Sequence, residues 1–105
     1  MYSIEQFREL NKPERIVITQ YGRRRLSERL LSIDDICNVI DNGEIIEDYP
    51  EDYPFPSCLI LGNTGGRNIH LVASIDEDVI YLITAYVPDP AKWESNMRTR
   101  KEEKV

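Results

Sequence analysis

The sequence predicts an α+β domain in which N-terminal helices pack on a small antiparallel β-meander of three to five strands, with a short C-terminal helix completing the fold. Three observations carry this reading. Residues 3–43 hold repeated helix-cap signatures followed by apolar residues at helical spacing. Residues 57–87 hold three apolar segments separated by compact turn sequences. The chain has 105 residues, close to the commonest domain size and too short for two independent cores, so residues 1–105 read as a single domain.

Ser3 with Gln6 three residues later forms a capping box, and Ile4, Phe7 and Leu10 follow at helical spacing until Pro13 forbids continuation. Arg15–Thr19 is β-branched and reads as a short strand, after which Thr19 caps a helix running through Tyr21-Gly22-Arg23-Arg24-Arg25-Leu26-Ser27-Glu28-Arg29. Ser32 caps the next helix. Its apolar stripe is Ile33, Ile36, Cys37 and Ile40; Asp34 and Asp35 meet the positive end of the helix dipole, and Gly43 supplies the stop.

Glu44–Tyr49 is expected at a sheet edge, because Pro50, Pro54 and Pro56 break any continuation and make Tyr49–Pro56 a loop. The meander is then Ser57–Gly62, Arg67–Ile75 and Val79–Val87, joined by Asn63-Thr64-Gly65-Gly66 and Asp76-Glu77-Asp78. The third segment is apolar at nearly every position and should be central. Ile69, Leu71, Ala73 and Ile75 alternate with Asn68, His70, Val72 and Ser74, giving a core face and a more polar face. A turn at 76–78 sets Ile75 against Val79, placing His70 opposite Thr84 and Asn68 opposite Tyr86. Asp89-Pro90 signals a final short helix into Ala91-Lys92-Trp93-Glu94. Its Trp93 most often packs such a helix onto the body and less often stacks a base. Arg98 to Val105 reads as a frayed charged tail.

With 41% hydrophobic and 30% charged residues the chain is neither disordered nor membranous, and no apolar run approaches the roughly 20 residues of a spanning helix. Met1-Tyr2-Ser3-Ile4-Glu5 lacks the basic start and apolar core of a signal sequence, so a cytoplasmic protein is expected. Cys37 and Cys58 lie in apolar patterns without CxxC spacing, which predicts buried free thiols and no metal site. The net charge of −6 argues against a protein that grips nucleic acid over its whole surface. The charges are segregated, however. Acid is concentrated in Glu44–Asp52 and Asp76–Asp78, whereas arginines cluster at 8–29 and 98–100, which permits a local basic groove and equally an acidic surface for a basic partner.

Chemistry is concentrated in the arginine helix. Tyr21, Arg25 and Arg29 stack at i, i+4 and i+8, Glu28 falls beside Arg25, and Gly22, Leu26 and Leu30 form the neighbouring apolar stripe. Arginine forks match phosphate oxygens and a carboxylate among them can accept a proton, so the set suits phosphodiester work. The competing reading is a solvated charged face with an Arg24–Glu28 pair. His70, the only histidine, reads either as a proton shuttle near neutral pH or as a structural side chain of the sheet. Gly62–Gly66 joins two strands and precedes no helix, so it is no phosphate loop.

Three groups of residues carry a family resemblance: Ile18-Thr19-x-Tyr21-Gly22-x-x-Arg25-x-x-Glu28-Arg29, then Gly43–Pro50 through Pro54–Leu59, and Tyr86-Val87-Pro88-Asp89-Pro90-x-x-Trp93. Over nearly the whole chain they resemble a bacterial family labelled a domain of unknown function, family 4258. That family is similar at a distance to the BrnT and RelE toxins, small ribonucleases encoded beside an antitoxin that often carries a zinc finger. The resemblance implies a RelE/BrnT-like α+β fold and a metal-independent endoribonuclease without cofactors, with RNA and an antitoxin as partners and homodimerisation as a further expectation. A non-catalytic module that binds an antitoxin or regulator is the alternative.

Carried over by position, it makes Arg25, Glu28 and Arg29 the basic and acidic motif residues, with His70 and Tyr86 as sheet-borne candidates. The catalytic set is then Glu28, His70, Arg25 and Tyr21, and the substrate-binding set Arg29, Tyr86, Arg24 and Asn68. The family usually has histidine where this chain has Tyr21, and often glycine where it has Leu30. A phenol, with an unperturbed pKa near 10 against about 6.5 for imidazole, carries protons poorly at neutral pH, so weakened activity is expected.

Overall fold

Each expected N-cap is made. In the computed structural model, which describes residues 1–102, Ser3 Oγ accepts from Gln6 N and opens α1 (Ile4–Glu9). A 3₁₀ turn, Pro13–Arg15, leads into β1 (Ile16–Ile18). Thr19 Oγ1 accepts from Gly22 N at 3.0 Å and opens α2 (Gln20–Glu28). The capping box of Ser32 and Asp35 opens α3 (Ile33–Asn42), where Asp35 also accepts from the Thr64 hydroxyl at 2.7 Å and so ties the helix to the sheet. The strands β2 (Glu44–Tyr49), β3 (Ser57–Thr64), β4 (Arg67–Asp76) and β5 (Val79–Tyr86) complete the order.

The sheet is mixed, in the order β1-β5-β4-β3-β2. The β2–β5 part is the antiparallel meander, with β2 at an edge as expected. The short β1 lies at the other edge, parallel to β5, so β5 is interior while β4 occupies the centre. One face buries Leu71, Ala73, Ile60, Leu82 and Ala85 beneath Phe7, Leu26, Ile36, Val39 and Ile40 of the helices. Glycine allows the close approaches: a Cβ at Gly62 would sit 2.3 Å from the Val39 carbonyl oxygen, and one at Gly22 would sit 2.9 Å from that of Ile83.

Four expectations need correction. Asp76 pairs with Val79 across a two-residue turn, with Glu77 at φ +55°, and a bulge between Val72 and Ala73 slips the ladder further. His70 is therefore opposite Tyr86 rather than Thr84, and Thr84 faces Val72. The two-residue displacement preserves facing, because strand side chains alternate with period two. Leu30 does not continue an apolar stripe. It follows the C-cap of α2 at φ +55° and is 85% exposed, while Leu31 N and Leu30 N bond back to Leu26 O and Ser27 O in a Schellman closure.

The C-terminal helix is absent. Asp89 does cap one turn, accepting from Ala91 N, but Glu94 N then donates to Thr99 O and Trp93 bridges Arg100, so residues 88–101 form a folded strap. Nor does the tail fray from Arg98. Arg98 pairs with Glu44, and Arg100 grips Glu47 through two bonds of 2.8 and 2.9 Å. Residues 103–105 of the expected tail lie outside the described residues. The strap lies on the second sheet face, where Leu59 and His70 are fully buried and Trp93 is 3% exposed.

Candidate functional site

A hollow of about 340 Å³ opens where the end of α2, the end of β5 and the strap meet. Arg29, Tyr86, Val87, Asp89, Lys92, Trp93 and Arg100 line it. The Schellman closure ends α2 at Arg29, strand alternation sets Tyr86 on the polar face, and the turn capped by Asp89 brings round Lys92 and Trp93. Three cations and one carboxylate thus face a small volume on a protein of net charge −6. Arg100 is largely committed: it chelates Glu47 and lies over the Trp93 ring at 4.6 Å. Lys92, and Arg29 beyond its long pair with Glu28, are the cations placed to meet an anion. Arg29 Nη1 is shielded from solvent, has no hydrogen-bond partner among the described residues, and makes a long ion pair with Glu28 Oε2 at 3.8 Å. An unsatisfied buried donor costs about 1–3 kcal/mol, and such groups call for a reason beyond folding.

His70 lies directly behind this wall. Nε2 is 2.7 Å from the Met97 carbonyl, which can only accept, so Nε2 carries the proton and Nδ1 accepts from the Tyr86 hydroxyl at 3.3 Å. The Trp93 ring stands edge-on to the imidazole at 4.5 Å. Burial holds the His70 pKa below its ordinary value, against the opposing pull of the Met97 bond and the Glu47 charge. The Tyr86 phenol is raised, again by burial. Hydrogen bonding from Arg100 keeps Glu47 below the usual carboxylate range. The result is a neutral imidazole that accepts the hydroxyl hydrogen bond of a phenol whose residue lines the hollow.

The other expected site residues stand apart to different degrees. Glu28 is one step from the hollow, bonded to Arg25 at 2.9 Å and beside Arg29; this pairing takes the place of the expected Arg24–Glu28 pair. Tyr21 is exposed, with the Arg25 guanidinium 4.9 Å from its ring centre. Arg24 is exposed, and Asn68 is exposed at the start of β4, two residues before His70 and beside Asn63, without lining the hollow. Of the sequence-derived candidates only Arg29 and Tyr86 line the hollow. Sequence reasoning missed Lys92 and Arg100, because a helix and a frayed tail were expected there; the Trp93 signal was the available clue. Among the described residues no three His, Cys, Asp or Glu side chains are grouped to hold a metal ion. Both cysteines are free, and burial pushes the Cys58 thiol up to about 12. No helix among the described residues is long and apolar enough to cross a membrane.

Residues 13–87 match the family model described as Domain of unknown function (DUF4258). The chain belongs to this family. Neither the curated proteins nor the solved structures offer a significant match. The matched DUF4258 span contains Arg29, His70 and Tyr86, whereas Lys92, Trp93 and Arg100 come from the strap beyond it. The acidic stretch that would hold a basic partner has Glu44 and Glu47 engaged within the chain by Arg98 and Arg100.

Proposed function

We propose that this DUF4258 protein is a toxin-like endoribonuclease that seats an RNA phosphodiester in the hollow between α2 and the strap. The observation that carries the reading is a hollow on an acidic protein where Lys92 meets Arg29, the latter in a long 3.8 Å ion pair with Glu28. Cleavage of RNA by its own 2′-hydroxyl needs a base on that hydroxyl, positive charge at the phosphorane and an acid for the leaving oxygen. Arg29 and Lys92 supply the charge. Glu28, held beside Arg29, is the base in this reading. Burial makes the Tyr86 phenol a reluctant proton donor, so Lys92 at the wall of the hollow is given the acid's role, and Tyr86, whose hydroxyl donates to His70, positions the sugar by accepting from one of its hydroxyls.

Tyr21 is exposed outside the hollow, so the weakened activity expected from a tyrosine at that position does not follow from this site. The test is incubation of a labelled RNA with the purified protein, with analysis of the product ends. Cleavage leaving a cyclic phosphate, reduced about 10²-fold in Arg29→Ala and at least as much in Glu28→Gln, is the expected result. Intact RNA, or cleavage indifferent to both substitutions, contradicts it.

A further inference from the structure

A second hollow lies on the same sheet face. Its volume is about 410 Å³ and it is lined by Thr19, Asp52, Tyr53, Pro54, Phe55, Ser74, Tyr81 and Ile83. Its walls are mostly carbon and aromatic. Phe55 and Tyr81 are already near-parallel, 24° apart with ring centres at 6.0 Å, and Tyr53 beside them is 95% exposed. Three exposed or half-exposed aromatic rings on a loop and a strand are not core packing, since none belongs to the buried cluster. Polar exceptions are few. Thr19 is occupied, accepting from Gly22 N and donating to Ile83 O, whereas Ser74 and the Asp52 oxygen not used by Ser57 remain at the pocket.

The two hollows are aligned. Tyr81 and Tyr86 lie opposite Ser74 and His70, four residues apart on β4, about 13 Å at 3.3 Å per residue, and the bulge between them puts both on one face. Between them the face carries Thr84 and Val72, which are opposite one another and only half-buried. Charge gives this trough a direction, with one carboxylate, Asp52, and no cation at the aromatic end and three cations against Asp89 at the other. A phosphate is repelled from the first end and held at the second. A flat ring with amine or amide hydrogens fits the first end, stacking on Phe55 or Tyr81 and donating to Asp52.

We infer that the aromatic pocket takes a nucleobase of the same single strand whose phosphate sits in the cationic hollow, so that a few nucleotides run along β5. The inference rests on the phosphodiester reading above and adds a base subsite to it. Anisotropy titration of a labelled RNA oligonucleotide and an abasic oligomer of equal length, against the wild-type chain, Phe55→Ala, Phe55→Leu and Lys92→Ala, tests it. Phe55→Ala and Phe55→Leu are expected to weaken the base-bearing strand about tenfold and leave the abasic strand unchanged, whereas Lys92→Ala weakens both.

Equal binding of the two strands by the wild-type chain, or a Phe55 effect shared by both, overturns the base subsite and returns the pocket to another occupant, such as an apolar side chain of a partner protein. If binding depends on Lys92 and is indifferent to Phe55, only the base subsite is lost. If no oligomer binds at low salt, the phosphodiester reading falls with it.

Discussion

Leu30 occupies the left-handed region immediately after the C-cap of α2, with its side chain 85% exposed. A non-glycine residue there costs about 1–2 kcal/mol, and glycine's greater freedom in the unfolded chain takes back about 0.5–1. Leu30→Gly is therefore expected to stabilise the fold by about 0.5–1 kcal/mol, a rise of a few degrees in Tm that thermal denaturation measures. A lower Tm would mean that Leu30 contributes packing its exposure does not show. The backbone conformation of Leu30 was not legible in the sequence, because helical periodicity assigned it to an apolar stripe. Cap residues were fully legible: Ser3, Thr19 and Ser32 act through neighbours within three residues, a range that sequence order alone determines.

Among the elements, the strap sets the state of His70. It contributes Met97 O and Trp93 to the imidazole, and it is fastened by Arg100 on Glu47 and by Lys101 N on Lys92 O. A buried histidine with a depressed pKa makes folding sensitive to acid in a defined sense. Below about pH 6.5 the unfolded chain takes up a proton that the folded chain refuses, so stability falls as pH falls. The groups facing the ring, Glu47 and Arg100, remain charged through this window. Urea unfolding is expected to lose up to about 1.4 kcal/mol between pH 7.5 and 5.5, and His70→Gln should lack that loss. A wild-type stability that is flat or rising toward pH 5.5 contradicts it.

The element order and the helix and strand types were legible, since periodicity and turn chemistry are local. The strap was not: Asp89-Pro90 fulfils its local promise with one turn, and then the long-range contacts of Trp93 and Arg100 override continuation. The parallel β1 and the Val72/Ala73 bulge were likewise beyond reach, because each depends on pairing between distant segments.

At the scale of the whole molecule the charges are sorted rather than balanced. Glu44 and Glu47 neutralise two strap arginines, Asp52 stands at the aromatic pocket, and Arg29 and Lys92 share one hollow. A local basic groove was anticipated from the arginines at 8–29 and 98–100, whereas Lys92 of the strap was not. The local concentration of positive charge also explains how a chain of net charge −6 could hold RNA: a few phosphates are drawn to one place while the surrounding surface repels the rest.

The most direct test is the salt dependence of RNA-oligonucleotide binding. For a single strand the slope of log affinity against log salt is about −0.7 per neutralised phosphate. If the hollow is the phosphate site, Arg29→Ala and Lys92→Ala should each weaken binding and flatten the slope by about 0.7, while Arg24→Ala leaves it nearly unchanged. A slope and affinity that ignore Arg29 and Lys92, or respond only to Arg24, contradict the assignment of the hollow.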